Sequence, residues 1–167
     1  MTVREVYDQA IEILGDSGYE AGEARAAARV VLRVLTGQQH AHLVQPEREL
    51  SDKDINACDE MLARLRSGEP LSYVVGEREF YGLSFQVKEG ALIPRPETEL
   101  LVETAVKRLW HLPSAVIADL GTGSGCIAVS VAHALSQSFV LATDASENAL
   151  EIARANASAH GVLSRVE

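Results

Sequence analysis

Residues 115–134 read AVIADLGTGSGCIAVSVAHA. An apolar run, a turn built on Gly121, Gly123 and Gly125, and a second apolar run follow one another without interruption. The spacing predicts a strand over 115–120, a glycine turn, and a helix over 124–135. A parallel strand that ends in a tight turn directs backbone N–H groups and the positive end of the next helix toward one spot. Glycines there permit backbone angles that a Cβ forbids, and they let a ligand approach the main chain closely. Such a unit belongs in a parallel sheet, and this constrains the fold more than any other segment.

The segments that follow repeat the alternation. SFVLATD (138–144) predicts a second strand, and SENALEIARANASAH (146–160) predicts a second helix closed by Gly161. RVE at 165–167 reads as the start of a third strand. Alternating strands and helices imply parallel pairing through right-handed crossovers. A doubly wound sheet usually has more strands than these. The expectation is therefore an N-terminal portion of a longer protein, with sheet faces and one edge left uncovered.

Residues 1–70 carry a different pattern. Val3, Val6, Tyr7, Ala10, Ile11 and Leu14 recur at helical spacing, with Gly15 and Gly18 as stop signals. GEARAAARVVLRVLTG (22–37) is Ala-rich and closes on Gly37. Ser51 and Asp54 resemble a capping pair ahead of Ile55, Cys58, Met61, Leu62 and Leu65, and Gly68 and Pro70 end that helix. A small helical bundle is expected. From residue 71 the β-branched and aromatic content rises, and a β-hairpin is predicted with strands near 72–76 and 83–88. PRPETELLVETAVKRLW then opens a helix, with Pro96, Glu97 and Glu99 suited to its first turn. Its expected buried stripe is Leu100, Leu101, Thr104, Ala105, Val106 and Leu109. The expected organisation is a helical domain over 1–70, a hairpin linker over 71–90, and an α/β domain over 91–167.

Composition removes several function classes. With 15 basic and 24 acidic residues, the formal net charge is −9. That balance argues against coating nucleic acid directly. No apolar stretch is long enough to cross a membrane, and no basic-then-apolar leader opens the sequence. A cytoplasmic location is the expectation, with the oligomeric state left open. Cys58 and Cys126 are far apart and belong to no metal-binding motif, so two buried thiols are expected. His40 and His42 form an H-x-H pair without acidic or thiol company, so surface or capping roles are expected rather than metal binding.

The candidate ligand residues lie around the glycine turn. Gly121, Gly123 and Gly125 would floor a nucleotide-type pocket, with Thr122 and Ser124 between them. Asp119, two residues before the first glycine, can accept from a ligand ammonium. Asp144 ends the next strand, where an acidic residue can accept from both hydroxyls of an adenosine ribose. Ser146 is the better candidate to cap the following helix. The spacing G-x-G-x-G with an acidic residue upstream suits S-adenosylmethionine, which carries an ammonium. The residues alone also leave open an NAD-type dinucleotide, whose pyrophosphate sits on the helix N-terminus.

Longer stretches carry a resemblance. DLGTGSGCIAVSVA resembles the first motif of class I methyltransferases, and TDASENALEIARANA resembles the next. Pro70-Leu71-Ser72-Tyr73, Gly76, Phe80-Tyr81-Gly82 and Leu92-Ile93-Pro94-Arg95-Pro96-Glu97-Thr98-Glu99 resemble the signature of protein-(glutamine-N5) methyltransferases of the PrmC/HemK type. The resemblance covers essentially the whole sequence. It implies an α/β fold: a small N-terminal helical bundle and β-hairpin, followed by part of a class I, Rossmann-like methyltransferase domain. It further implies methyl transfer from S-adenosyl-L-methionine to the side-chain amide of the GGQ glutamine of peptide-chain release factors. Gly121, Thr122, Gly123, Ser124 and Gly125 would then line the cofactor. Asp144 would hold its ribose, and Asp119 would occupy the acidic position of the motif. Arg95, Pro96, Glu97 and Thr98 would flank the pocket, and the helical domain and hairpin would help to hold the release factor. The family's N-P-P-Y motif, which accepts from the glutamine NH₂, does not occur in these 167 residues and is expected beyond Glu167. No catalytic acid, base or nucleophile is assigned within the sequence. The competing expectations are a non-catalytic interaction module and an NAD-type binder.

Overall fold

A computed structural model describes residues 1–112 and 114–167. The chain divides into two compact units, Met1–Val75 and Gly76–Glu167.

The first unit is helical: α1 (Val3–Asp16), α2 (Ala21–Thr36), a short α3 (Ala41–Val44), α4 (Asp52–Arg66) and α5 (Leu71–Val75). Capping sets where two of them begin. Thr2 Oγ1 accepts from the Glu5 N–H while the Glu5 carboxylate accepts from the Thr2 N–H at 2.8 Å. Ser51 and Asp54 make the same reciprocal pair at the head of α4, as their spacing predicted. Gly37 closes α2 in the left-handed conformation, φ +70°. Gly15 is helical, and the chain leaves α1 only after Asp16. The core joins Val6, Ala10 and Leu14 of α1 to Ala28, Val31 and Leu32 of α2 and Leu62 and Leu65 of α4. His42 lies within this unit with its ring stacked on Tyr7, centroids 4.3 Å apart.

The expected strand near 72–76 is a correction: residues 71–75 are helical and belong to the first unit. Its β-branched residues suit a strand, but two tertiary contacts outweigh that preference. Val74 is buried in the helical core. The Arg64 guanidinium donates to the carbonyls of Tyr73 and Val74, each at 3.1 Å, and pairs with the Glu69 carboxylate. It thereby closes the C-terminal carbonyls of α5, which a helix this short otherwise leaves open.

The second unit opens on a hairpin of β1 (Glu77–Phe80) and β2 (Leu83–Gln86), paired antiparallel with Phe80 opposite Leu83. The two turn residues both take positive φ, Tyr81 at +50° and Gly82 at +72°, the combination that matches strand twist in a two-residue hairpin. A tyrosine is strained there. The Glu99 carboxylate accepts from the Tyr81 N–H at 3.0 Å and holds the turn in place. Phe80 and Phe85 are buried and meet edge to face, centroids 6.0 Å apart.

A single turn of 3₁₀ helix over Pro96–Thr98 leads into α6 (Glu99–Leu109). Next come β3 (Val116–Leu120), α7 (Cys126–Ala134), β4 (Phe139–Thr143) and α8 (Glu147–Ala159). β3 and β4 are parallel, with Asp119 level with Ala142. Residues 165–167 join the other side of β4 through Val140 N–H to Arg165 O at 2.8 Å and Ala142 N–H to Glu167 O at 2.7 Å. The RVE segment expected to start a third strand thus makes a parallel bridge, Val166 opposite Val140, on the side of β4 away from β3. One sheet face, through Ile117, Val140 and Ala142, shares a core with α6, α7 and α8. The opposite face is apolar and exposed: Val116 is 81% and Leu120 78% accessible, with Phe139 and Leu141 beside them.

The stripe expected on α6 is also corrected. Leu100, Leu101 and Thr104 are exposed, Ala105, Val106 and Leu109 are half-buried, and Val102 is the fully buried residue. Helical spacing alone does not say which of two adjacent apolar rows meets the core. Here Glu99 reaches the hairpin turn and Val102, three residues on, faces the core. Removing the Glu99 acceptor leaves the half-buried Tyr81 N–H without its partner. Glu99→Ala is expected to cost about 1–2 kcal/mol in urea unfolding, and hydrogen exchange is expected to rise first in the hairpin.

Candidate functional site

The predicted turn residues meet through a set of consecutive peptide groups. β3 ends at Leu120, and Gly121 and Thr122 both donate their N–H to Thr143 O at 2.8 Å, locking the turn to the end of β4. The Thr122–Gly123 peptide is held at both ends. Its carbonyl accepts from the Gly125 N–H at 2.9 Å, and its N–H donates to Asp144 Oδ2 at 2.8 Å. The Ser124–Gly125 peptide is also held at both ends, its carbonyl accepting from Asn156 Nδ2 at 2.9 Å. Asp144 Oδ1 accepts from the Ser146 N–H at 3.0 Å. Ser146 caps α8, accepting from the Ala149 N–H.

Asp119 turns toward the same loop. Its Oδ2 accepts from Thr122 Oγ1 at 2.7 Å and from the Ala128 N–H at 3.2 Å, so one carboxylate oxygen joins the turn to the first turn of α7. The N–H groups of Ser146 and then Gly123 hold the Asp144 carboxyl below the usual carboxylate range. Cys126 opens α7, but burial pushes its thiol up to about 11, so it is protonated at neutral pH and no nucleophile.

The three glycines answer to different demands. All have positive φ, at +77°, +57° and +79°. A Cβ built on Gly121 or Gly123 meets no atom within 4 Å, so the space above both is clear for a ligand. A Cβ on Gly125 would lie 2.9 Å from Ala153 Cβ. The close approach of the turn to α8 therefore requires a glycine at position 125, a demand that the spacing did not reveal. Arg95, Pro96 and Glu97 are exposed at the entry to α6 and Thr98 is half-buried. They precede α6, which packs on α7, the helix that follows the turn.

Two residues with positional duties escaped the sequence reading. Glu99 opens α6, as its placement at a helix end predicted, and in addition holds the hairpin turn. Asn156 was passed over within the α8 sequence and is fully buried. A polar residue between Ile152, Ala153 and Ala157 on the buried face of a helix was the available signal.

Comparison with known proteins agrees with this division. Residues 5–76 match the PrmC N-terminal domain and residues 96–167 match the methyltransferase small domain. The chain joins a PrmC N-terminal domain to a methyltransferase small domain. A relative named release factor glutamine methyltransferase from Chlorobaculum tepidum is 43% identical over 150 residues, which are 86% of this chain and 51% of the relative. Proteins of the same name from Nitratidesulfovibrio vulgaris and Moorella thermoacetica are 41% and 38% identical. The alignments take in 88% and 99% of this chain, and 50% and 58% of those proteins. The chain thus spans about half the length of the curated relatives it matches. The match to the PrmC N-terminal domain ends at residue 76, next to the boundary between the two compact units.

Two outcomes follow from the turn geometry. Gly125→Ala places a Cβ in a left-handed conformation and against Ala153, and is expected to cost about 2–4 kcal/mol in chemical denaturation. Adding Ala153→Gly should restore the part due to overlap only. Asp144 has a folded-state pKa below its unfolded value of 3.8. Its contribution is therefore present above that value and is lost as pH falls through the lower folded one. Thermal unfolding followed below about pH 4 should show a smaller acid-induced decrease in Asp144→Asn than in the unaltered chain.

Proposed function

We propose that this sequence serves S-adenosylmethionine-dependent methylation of the GGQ glutamine side-chain amide of peptide-chain release factors. The observation that carries the cofactor reading is the position of Asp119. Its carboxylate already accepts from the Ala128 N–H in the first turn of α7. A negative group at the positive end of that helix opposes a pyrophosphate and favours a ligand that brings an ammonium. The clear space over Gly121 and Gly123 fits a cofactor that lies against the main chain. Gly121–Gly125 would hold it, Asp119 would face its ammonium, and Asp144 would accept from its ribose hydroxyls. Each Asp144 oxygen already accepts one N–H and keeps a second lone pair for that purpose. Arg95–Thr98 would flank the pocket.

S-adenosylmethionine supplies an electrophilic methyl group on a sulfonium. An amide nitrogen is a weak nucleophile because its lone pair is delocalised into the carbonyl. What the protein must add is alignment, and acceptors for the NH₂ as positive charge builds on nitrogen. These 167 residues contain no N-P-P-Y sequence, so the amide acceptors are not among the groups described above. The contribution of this sequence is to hold and orient the cofactor. The names of the relatives, release factor glutamine methyltransferase, support the choice of substrate.

Calorimetric titration with S-adenosylhomocysteine and, separately, NAD⁺ tests the cofactor. Binding of the first and not the second is expected, and the reverse overturns the reading. Asp144→Ala is expected to weaken S-adenosylhomocysteine at least tenfold, since each charge-assisted bond contributes about 1.5–3 kcal/mol. The complete gene product is expected to methylate a release factor at GGQ. A product that leaves that glutamine unmodified overturns the substrate assignment.

A further inference from the structure

Asn156 sits within the buried face of α8, where a carboxamide is costly unless its polar atoms are paired. Its Oδ1 accepts from the Gln86 N–H at 2.8 Å, and its Nδ2 donates to Gln86 O at 3.0 Å. Those two bonds treat the end of β2 as a neighbouring strand would. The second Nδ2 proton goes to Ser124 O at 2.9 Å, between the last two glycines of the turn. From there the hydrogen bonds continue through the Ser124–Gly125 peptide to Thr122 O, and through the Thr122–Gly123 peptide to Asp144. The hairpin end and the Asp144 carboxylate are thus the two ends of one relay, and Asn156 is its only side-chain link between them.

We propose that Asn156 is a positioning residue: its carboxamide sets the Ser124–Gly125 peptide from the hairpin and, through it, orients the cofactor turn and Asp144. Consecutive amides in such a chain polarise one another, so the end at Gly123 senses whether the end at Gln86 is made. The cofactor part of this proposal rests on the reading above, whereas the ordering of the turn does not. His160 supplies an internal comparison. Its Nε2 lies 2.8 Å from Ser84 O, tying α8 to the same hairpin without touching the turn.

Asn156→Asp preserves shape and the Oδ1 acceptor but leaves at most one donor, the O–H of a protonated carboxyl, for the two carbonyls of Gln86 and Ser124. Amide hydrogen exchange on the ligand-free, isotopically labelled chain reads the turn directly. Exchange at Gly123 and Gly125 is expected to rise at least tenfold in Asn156→Asp, with the amides of α2 unchanged and no rise at the turn in His160→Ala. Wild-type rates at Gly123 and Gly125 in Asn156→Asp, or an equal rise in His160→Ala, overturn the proposal. In the unaltered chain both Nδ2 protons of Asn156 should exchange slowly. Rapid exchange there overturns it even if the variant does not fold. Asn156→Asp should also bind S-adenosylhomocysteine at least tenfold more weakly. If the unaltered chain fails to bind that ligand, the cofactor reading falls while the exchange data still decide the positioning role.

Discussion

A buried carboxamide in a helix is stable only when its donors and acceptor are matched, and Asn156 meets that condition with three bonds to two separate segments. This arrangement decides much of the second unit. It brings the end of β2, the middle of α8 and the glycine turn to one point. The apolar contacts around it are not directional and would tolerate small slips. A fork of hydrogen bonds does not, because a shift of about 1 Å leaves buried polar atoms unpaired. Packing by Phe80, Phe85 and Val102 supplies the burial, and Asn156 supplies the register.

The glycine turn shows the same division between space and conformation. Gly121 and Gly123 leave clear volume above a backbone that faces outward, and Gly125 lets α8 approach until Ala153 touches the chain. Both acidic residues at the turn serve the protein's own N–H groups and hydroxyl before any ligand arrives. They are therefore held in place rather than free to rotate. A site held in this way loses little side-chain entropy on binding.

The helical unit was legible in large part from its caps and its spacing. Ser51 with Asp54 is a local pair, decided within one turn of chain. The same holds for the strand–turn–helix unit, where a short apolar run and positive-φ glycines admit few alternatives. Asp119 and Gly121–Gly125 were named from sequence because one βα turn places them together by connectivity, and Asp144 because parallel pairing of consecutive strands brings the end of β4 beside that turn. The site residues that were not legible depend on partners far away in sequence. Asn156 contacts Gln86 across 70 residues, and Glu99 contacts Tyr81 across 18.

The sequence by itself determined the α/β alternation, the parallel order of the strands, the helical first unit and the position of the glycine turn. These follow from periodicity, capping and glycine placement, which act over a few residues. Only the tertiary structure decided that 71–75 is a helix, because the Arg64 guanidinium and the burial of Val74 outweigh the strand preference of that segment. It also decided that Val102 rather than Leu100 or Leu101 is fully buried on α6, and that Gly125 serves helix packing. In each case two segments compete for the same small volume. The outcome depends on which atoms arrive there, a question that local pattern does not contain.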